Sequence, residues 1–178
     1  MTPHELKDRG LQLYRAEHYT EAAQAFEQAA QAYEAAGDRA NASEQRNNVC
    51  VVKLAQQDWA GALAAVEDTP DIFRALGEPL REAQATANLA AAHDGAGHVE
   101  QAVELYIQAI DQFGALGEKE NRAACFKKLS ALQIKLDQQV QALTSMRSGL
   151  NLANPAELTA KEKALKELLD KAMKMMGL

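Results

Sequence analysis

A repeat of 40 residues limits the folds that this chain can adopt more than any other feature of its sequence. Gly37, Gly77 and Gly117 recur at that interval, and each is preceded by two apolar residues and followed by an acidic one. A fixed period of this length is typical of arrays in which one supersecondary unit stacks on the next. The 178 residues leave room for four such units and a short remainder.

Alignment at this period produces columns of residues of one size. The first small column is Gly10, Cys50, Ala90 and Ser130; the second is Ala22, Ala62, Ala102 and Ala142; the third is Ala29, Thr69, Ala109 and Gly149. A bulky column contains Phe26, Val66, Tyr106 and Met146. Helices that cross closely need a small side chain at the contact, and the apolar residues of each unit follow helical spacing. The columns therefore predict stacked helical hairpins.

The order of these columns resembles the tetratricopeptide repeat family, in which a small residue is followed twelve positions later by alanine, then by an aromatic and another small residue. Two units match this pattern: Gly10, Ala22, Phe26, Ala29 and Ala90, Ala102, Tyr106, Ala109. The other two place Val66 and Met146 where an aromatic is usual. The ordinary repeat has about 34 residues, so this chain is more similar to the long-helix variety of kinesin light chains, spindle-orientation adaptors and vesicle-fusion attachment proteins. HEAT and armadillo arrays, with periods near 40, are the alternative.

The resemblance implies an all-α fold, a right-handed α-α superhelix of four helix-turn-helix repeats with a C-terminal capping helix. We expect the repeats at about residues 1–38, 39–78, 79–118 and 119–156, with Tyr19, Trp59 and Val99 at the turns inside the first three. Each repeated glycine can end a helix in the left-handed conformation. Asn154, Pro155 and Glu157 predict the start of the capping helix, which would cover 155–178. Its predicted apolar face contains Leu158, Leu165, Leu168, Leu169, Ala172 and Met176.

Composition excludes several classes of protein. A net charge of −6 disfavours nucleic-acid binding. The sequence has no apolar stretch of about 18 residues, the length that would predict a membrane span. Its N-terminal residues do not have the pattern of a secretory signal. Cys50 and Cys125 have no framework spacing. These features predict a cytoplasmic protein with reduced thiols.

No group of residues predicts catalysis, a cofactor or a metal site. His93 and His98 form the only histidine cluster, at a predicted turn, and a metal would need further ligands. Cys50 lies in a small-residue column, which predicts burial and an inert thiol. A pair between Cys50 and His93 is conceivable, but no third group orients it. The sequence therefore predicts that the protein is not an enzyme.

The resemblance implies a peptide-binding groove along the first helix of each hairpin. Its predicted residues are Lys7, Leu11, Glu44, Asn47, Asn48, Val51, Gln84, Asn88, Ala91, Lys127, Lys128 and Ala131. Asn48 and Asn88 are 40 residues apart and are expected to stack, so that their amides can bind a peptide backbone or simply face solvent. Lys7 and Asn48 match two positions of the family's carboxylate clamp, whereas Leu11, Gln84 and Asn88 replace the other three. Lys127 and Lys128 favour an acidic segment.

These features predict a protein-interaction scaffold that holds a peptide or helix of another protein. The alternative is a self-assembling structural subunit that forms a homo-oligomer through its C-terminal helix or repeat ends. The methionine-rich end of that helix favours this alternative, because methionine is common at adaptable interaction surfaces.

Overall fold

A computed structural model describes residues 1–156 and 158–177, and every regular element within them is an α-helix. The first five helices are α1 (Pro3–Arg15), α2 (Tyr19–Ala35), α3 (Arg39–Ala55), α4 (Trp59–Val66) and α5 (Thr69–Leu76). The next five are α6 (Pro79–Gly95), α7 (Val99–Leu116), α8 (Lys119–Lys135), α9 (Gln139–Leu152) and α10 (Ala160–Met175). The predictions of an all-α fold and of tetratricopeptide-like repeats are confirmed.

Contacts between residues divide the chain into two compact units, Met1–Ala102 and Val103–Leu178. In unit 1, α3 packs against α2, α4, α5 and α6, and α1 packs against α2. In unit 2, α9 packs against both α8 and α10. The interior of each unit is built from neighbouring antiparallel helices, as the hairpin pattern predicts.

The turns between helices follow the sequence signals closely. Gly37, Gly77 and Gly117 have φ angles of 75°, 69° and 75°, the left-handed conformation that ends a helix. Proline stands in the first turn of α6, where its missing N–H costs nothing. Local chemistry therefore defines most of the helix ends.

The small columns are buried where helices cross. Gly10 shows why size matters, because a Cβ atom added there would lie 2.6 Å from the ring of Phe26. Cys50 packs in the equivalent place against Val66. Each small residue of α1 or α3 thus accommodates the bulky residue of the following helix. In the third column, Gly149 is only half-buried.

The second hairpin has three helices instead of the predicted two. Its second helix is interrupted after Val66 and resumes at Thr69, with Pro70 in the first turn of α5. A proline within a helix removes one N–H donor and clashes with the carbonyl four residues earlier, here that of Val66. The Thr69 hydroxyl donates to that carbonyl at 3.0 Å and so satisfies it. The predicted helix-turn-helix pattern of this repeat does not include the break.

The last helix also begins later than predicted. α10 starts after Thr159, whose side chain accepts from the Glu162 backbone N–H while Glu162 bonds back to the Thr159 N–H. This reciprocal cap prevails over the predicted one, because Asn154 accepts from Ala156 N–H in a separate turn. The other predicted capping residue, Glu157, and the terminal Leu178 lie outside the described residues.

Candidate functional site

An ion-pair ladder crosses three first helices of unit 1. Lys7 on α1 contacts Glu44 on α3 with 2.6 Å between Nζ and Oε1. The other carboxylate oxygen of Glu44 lies 3.0 Å from a guanidinium nitrogen of Arg81 on α6. One carboxylate thus neutralises one of two cations, and the ladder carries one excess positive charge.

Hydrogen bonds between amides reinforce the contact between α3 and α6. Asn88 donates to the Asn47 side-chain oxygen at 3.2 Å, and Asn47 donates to the Ser43 carbonyl at 3.1 Å. Asn47 is only 9% exposed, so it links the helices rather than facing solvent. Asn48 instead donates to Gln45 of its own helix. The expected stacking of Asn48 on Asn88 is therefore replaced by a bond between Asn47 and Asn88.

Half-buried apolar residues lie about one helical turn beyond the polar ones. Leu11, Val51 and Ala91 occupy corresponding positions on α1, α3 and α6, and Leu11 packs on the core that includes Phe26. Gln84 on α6 is exposed. We define the A-helix face of unit 1 as Lys7, Leu11, Glu44, Asn48, Val51, Arg81, Gln84, Asn88 and Ala91.

The remaining predicted groove residues belong to unit 2. Lys127, Lys128 and Ala131 are exposed on α8. Lys127 also lines a cavity of unit 2 and acts electrostatically on Glu162, whose pKa is lowered mainly by hydrogen bonds from Thr159. These side chains form a basic surface, described here for α8 alone.

The two residues that match positions of the family's carboxylate clamp already have partners inside the protein. Lys7 pairs with Glu44 and Asn48 bonds to Gln45. A bound carboxylate would have to displace Glu44 from Lys7, so the geometry favours a ladder over a clamp.

Arg81 is the functional candidate that sequence reasoning missed. Lys7, Glu44 and Arg81 follow one another at intervals of 37 residues, with alternating sign of charge. That interval is the repeat period less one helical turn. A search for opposite charges at this spacing, rather than at 40, would have found it.

A second groove in unit 1 is lined by residues of α2, α3, α4 and α5 and has a volume of about 670 Å³. Two of its three basic side chains are paired with acids. Arg46 binds Asp68 through both guanidinium nitrogens, and Lys53 lies 3.0 Å from Asp58. This neutralisation makes the groove a weaker candidate than the A-helix face.

The histidine cluster lies where it was predicted, at the turn between α6 and α7. The Nδ1 atoms of His93 and His98 are 3.1 Å apart. Burial lowers the pKa of His93 and the neighbouring His98 lowers it further, whereas Glu67 raises it. In the part of the chain that the structure describes, no three His, Cys, Asp or Glu side chains converge as metal ligands.

The Cys50 thiol is a core group. It packs against Ala62, Val66 and Ala92, and its Sγ lies 3.9 Å from the Asn88 carbonyl oxygen. Burial raises the pKa of the Cys50 thiol to about 12, which suppresses the nucleophilic thiolate. The thiol therefore donates to a backbone carbonyl, and not to the His93 imidazole of the conceivable Cys-His pair.

This burial predicts a loss of stability at alkaline pH. Below the ordinary thiol pKa of 9.0, both folded and unfolded chains keep the proton of Cys50. Above it only the unfolded chain releases that proton, so the free energy of unfolding falls by up to about 1.4 kcal/mol per pH unit until the folded pKa is reached. Denaturant titrations from pH 8 to pH 11 should show this fall.

The control is Cys50→Ala, because alanine occupies the equivalent position of the third repeat. The variant should lose stability less steeply with pH. Equal slopes for the two proteins would contradict the assignment. Cys125, whose pKa burial raises to about 11, contributes the same background to both.

Comparison with known proteins agrees with this architecture. Residues 5–169 match the family described as soluble NSF attachment protein, SNAP. The chain belongs to the soluble NSF attachment protein family. Membership agrees with the tetratricopeptide-like helical repeats predicted from the sequence. No curated protein is similar enough in sequence to count as a match.

Two solved structures share the fold at low sequence identity. A double mutant described as MamA RS-1 ArsTM has a TM-score of 0.66 and 20% identity, over 84% of this chain and 74% of its own. The apo form of RapI has a TM-score of 0.80 and 12% identity, over 97% of this chain and 64% of its own. Like this member of the attachment-protein family, both are built from helical repeats. Within the described residues, no helix of this chain is long and apolar enough to cross a membrane.

Proposed function

We propose that the chain is an adaptor that binds a peptide or helical segment of another protein along the A-helix face of unit 1. The observation that carries this proposal is the Lys7–Glu44–Arg81 ladder, which holds charged side chains in place beside half-exposed apolar ones. Prearranged polar groups lose little conformational entropy on binding. The family description names attachment to NSF, and attachment of a partner protein is the role extended to this chain.

The chemistry of the face favours an acidic segment. The ladder has one excess cation, and the exposed amide of Gln84 offers both a donor and an acceptor to a peptide backbone. Leu11, Val51 and Ala91 provide apolar contacts beside these polar groups. In unit 2, Lys127 and Lys128 form a second basic surface with the same preference. Such charges act mainly on the association rate and on selectivity.

The best single substitution to test the A-helix face is Gln84→Glu. Gln84 is exposed, so its replacement leaves the core intact. Asn88→Ala would also remove the hydrogen bond to buried Asn47 and so confound binding with stability. A carboxylate at residue 84 should repel the acidic segment and reduce capture of the partner about tenfold or more, because like charges brought together at an interface cost several kcal/mol.

The measurement is quantitative affinity capture from native lysate, followed by mass spectrometry. Gln28→Glu is the matched control, because Gln28 is an exposed residue of α2 outside the A-helix face. Proteins lost with Gln84→Glu and retained with Gln28→Glu are the predicted partners. Equal recovery of every protein with both variants would refute binding at this face.

A second candidate function, self-assembly, is favoured by a specific feature of unit 2. Leu168 and Met175 on α10 are 66% and 80% exposed. Exposed apolar side chains in a contiguous stripe are typical of interaction surfaces.

A further inference from the structure

The turns inside the four repeats share one backbone geometry. In each of them a backbone N–H closes the turn by donating to the carbonyl of the residue five positions earlier, over 2.8–2.9 Å. The donors, 40 residues apart, are His18, Asp58, His98 and Gln138. The residue before each donor has a positive φ angle, between 59° and 81°. The repeat thus places two residues, five positions apart, at the same two points of every turn.

In two of these turns the side chains at those points bond to each other. In the second repeat, Lys53 Nζ lies 3.0 Å from a carboxylate oxygen of Asp58. In the third repeat, the Nδ1 atoms of His93 and His98 lie 3.1 Å apart. Two imidazoles therefore occupy the places that an ion pair takes in the preceding repeat. We call His93 and His98 the histidine pair.

The protonation state of the histidine pair decides whether its two rings attract or repel each other. When both rings are neutral, one carries its proton on Nδ1 and donates it to the unprotonated Nδ1 of the other. One added proton leaves this bond in place, because one Nδ1–H still faces one lone pair, and the bond becomes charge-assisted. A second added proton places hydrogen on both Nδ1 atoms, so that two donors and two positive charges face each other. The contact is therefore compatible with the first added proton and not with the second.

The surroundings of the histidine pair oppose the second proton. His93 is half-buried, whereas His98 is exposed. Burial lowers the pKa of His93, and the neighbouring His98 lowers it further. Helices α3, α4 and α5 pack against α6, and Glu67, which follows α4, acts in the opposite direction and raises this pKa. Asp94 and Glu100 flank the pair in the sequence of α6 and α7. The net effect is that His93 takes up its proton below the ordinary histidine pKa of 6.5.

We propose that the histidine pair is a pH-sensitive contact that keeps the turn between α6 and α7 closed while it carries no more than one added proton, and that releases this turn when both rings are protonated. The equivalent ion pair of the second repeat does not respond in this range. A hydrogen bond from the Gly61 N–H and the nearby Lys53 both lower the pKa of Asp58, so its carboxylate stays charged. This device is independent of the adaptor function.

The direction of the pH dependence follows from the lowered pKa of His93. The unfolded chain binds the proton of His93 at a higher pH than the folded chain does. The contribution of the pair to stability is therefore fully present above pH 6.5 and is lost as the pH falls below that value.

Titration of the imidazole resonances by NMR tests whether the two rings are coupled. His98→Gln removes the neighbouring charge but keeps a side chain that donates and accepts hydrogen bonds. The His93 midpoint should rise by about half a pH unit or more in this variant, because a like charge no longer opposes protonation. His4→Gln, at an exposed residue of α1, is the matched control and should leave the midpoint unchanged. A His93 midpoint that is the same in His98→Gln and in the wild type would overturn the proposal.

Hydrogen exchange tests whether double protonation releases the turn. The His98 amide donates to the His93 carbonyl at 2.9 Å, and the Asp58 amide makes the equivalent bond in the second repeat at the same distance. Between pH 7.5 and pH 5, the protection factor of the His98 amide should fall about threefold to tenfold, the equivalent of one hydrogen bond. The protection factor of the Asp58 amide should stay constant. Equal losses in the two turns would show that the histidine pair does not keep its turn closed.

Transfer of the ion pair from the second repeat to the third separates this contact from a general effect of acid. The double variant His93→Lys, His98→Asp gives the turn between α6 and α7 the side chains of the turn between α3 and α4. The amide of residue 98 should then keep its protection at pH 5. A loss of protection at pH 5 that persists in the double variant would refute the proposal.

Trp59 supplies a second readout of the same turn. It is the single tryptophan of the sequence, and a Cβ atom added at Gly95, between the two histidines, would collide with its ring. Its fluorescence should change at the His93 midpoint in the wild type and stay constant in the double variant. An emission that does not change between pH 7.5 and pH 5 in the wild type would show that the turn is not released.

Discussion

Replacement of Gly10 by valine should lower the free energy of unfolding by about 2–3 kcal/mol, the usual cost of overpacking a core. The Cβ atom would lie 2.6 Å from the Phe26 ring. Phe26 is 2% exposed and cannot move aside without disturbing its neighbours. Chemical denaturation followed by circular dichroism would measure the loss.

Two further variants separate steric conflict from the general effect of removing a glycine. Gly114→Val is the control, since its Cβ would meet the far end of the long Arg122 side chain at 3.1 Å, and it should cost less than about 1 kcal/mol. Adding Phe26→Leu to Gly10→Val should recover part of the stability, as residues in contact are energetically coupled. Additive losses in this double mutant would mean that Gly10 and Phe26 do not conflict.

Replacement of Phe73 by alanine should cost about 3–5 kcal/mol, the usual range for a buried phenylalanine. Phe73 is 1% exposed on α5, the short helix that follows the break at Pro70. α5 packs against both α3 and α6. The truncation therefore leaves a cavity in a segment held by few side chains of its own.

The neighbouring residue offers a matched control. Ile72 is half-buried and lines the groove beside α2, so Ile72→Ala should cost clearly less than Phe73→Ala. Hydrogen exchange should show the amides of α5 losing protection most in Phe73→Ala. Similar losses in the two variants would show that α5 depends on its groove-facing side as much as on its buried one.

The break between α4 and α5 shows how a local signal can be missed inside a strong repeat. The 40-residue period predicts one helix through Val66 and Thr69, and Pro70 argues against it. The proline prevails because a helix can restart around it when a side-chain hydroxyl satisfies the freed carbonyl. The start of α10 is a second case in which a local signal decides the helix boundary. Thr159 and Glu162 cap the helix more completely than Asn154 can.

The amino-acid sequence alone predicts the repeat, the all-α class, most helix ends and the burial of the small columns. These features depend on local chemistry: left-handed glycines end helices, and residues at one position of a 40-residue period share one environment. The burial of Cys50 and the close approach at Gly10 follow from that column pattern.

The pairing of side chains between neighbouring helices is visible only in the folded protein. Adjacent first helices are displaced along their axes, so contacts join residues that are one turn or one residue away from the exact period. Lys7 therefore meets Glu44 at an interval of 37, and Asn88 meets Asn47 at an interval of 41 instead of Asn48 at 40. The packing of side chains along the whole contact sets that displacement. An alignment of the repeats in sequence therefore cannot predict it.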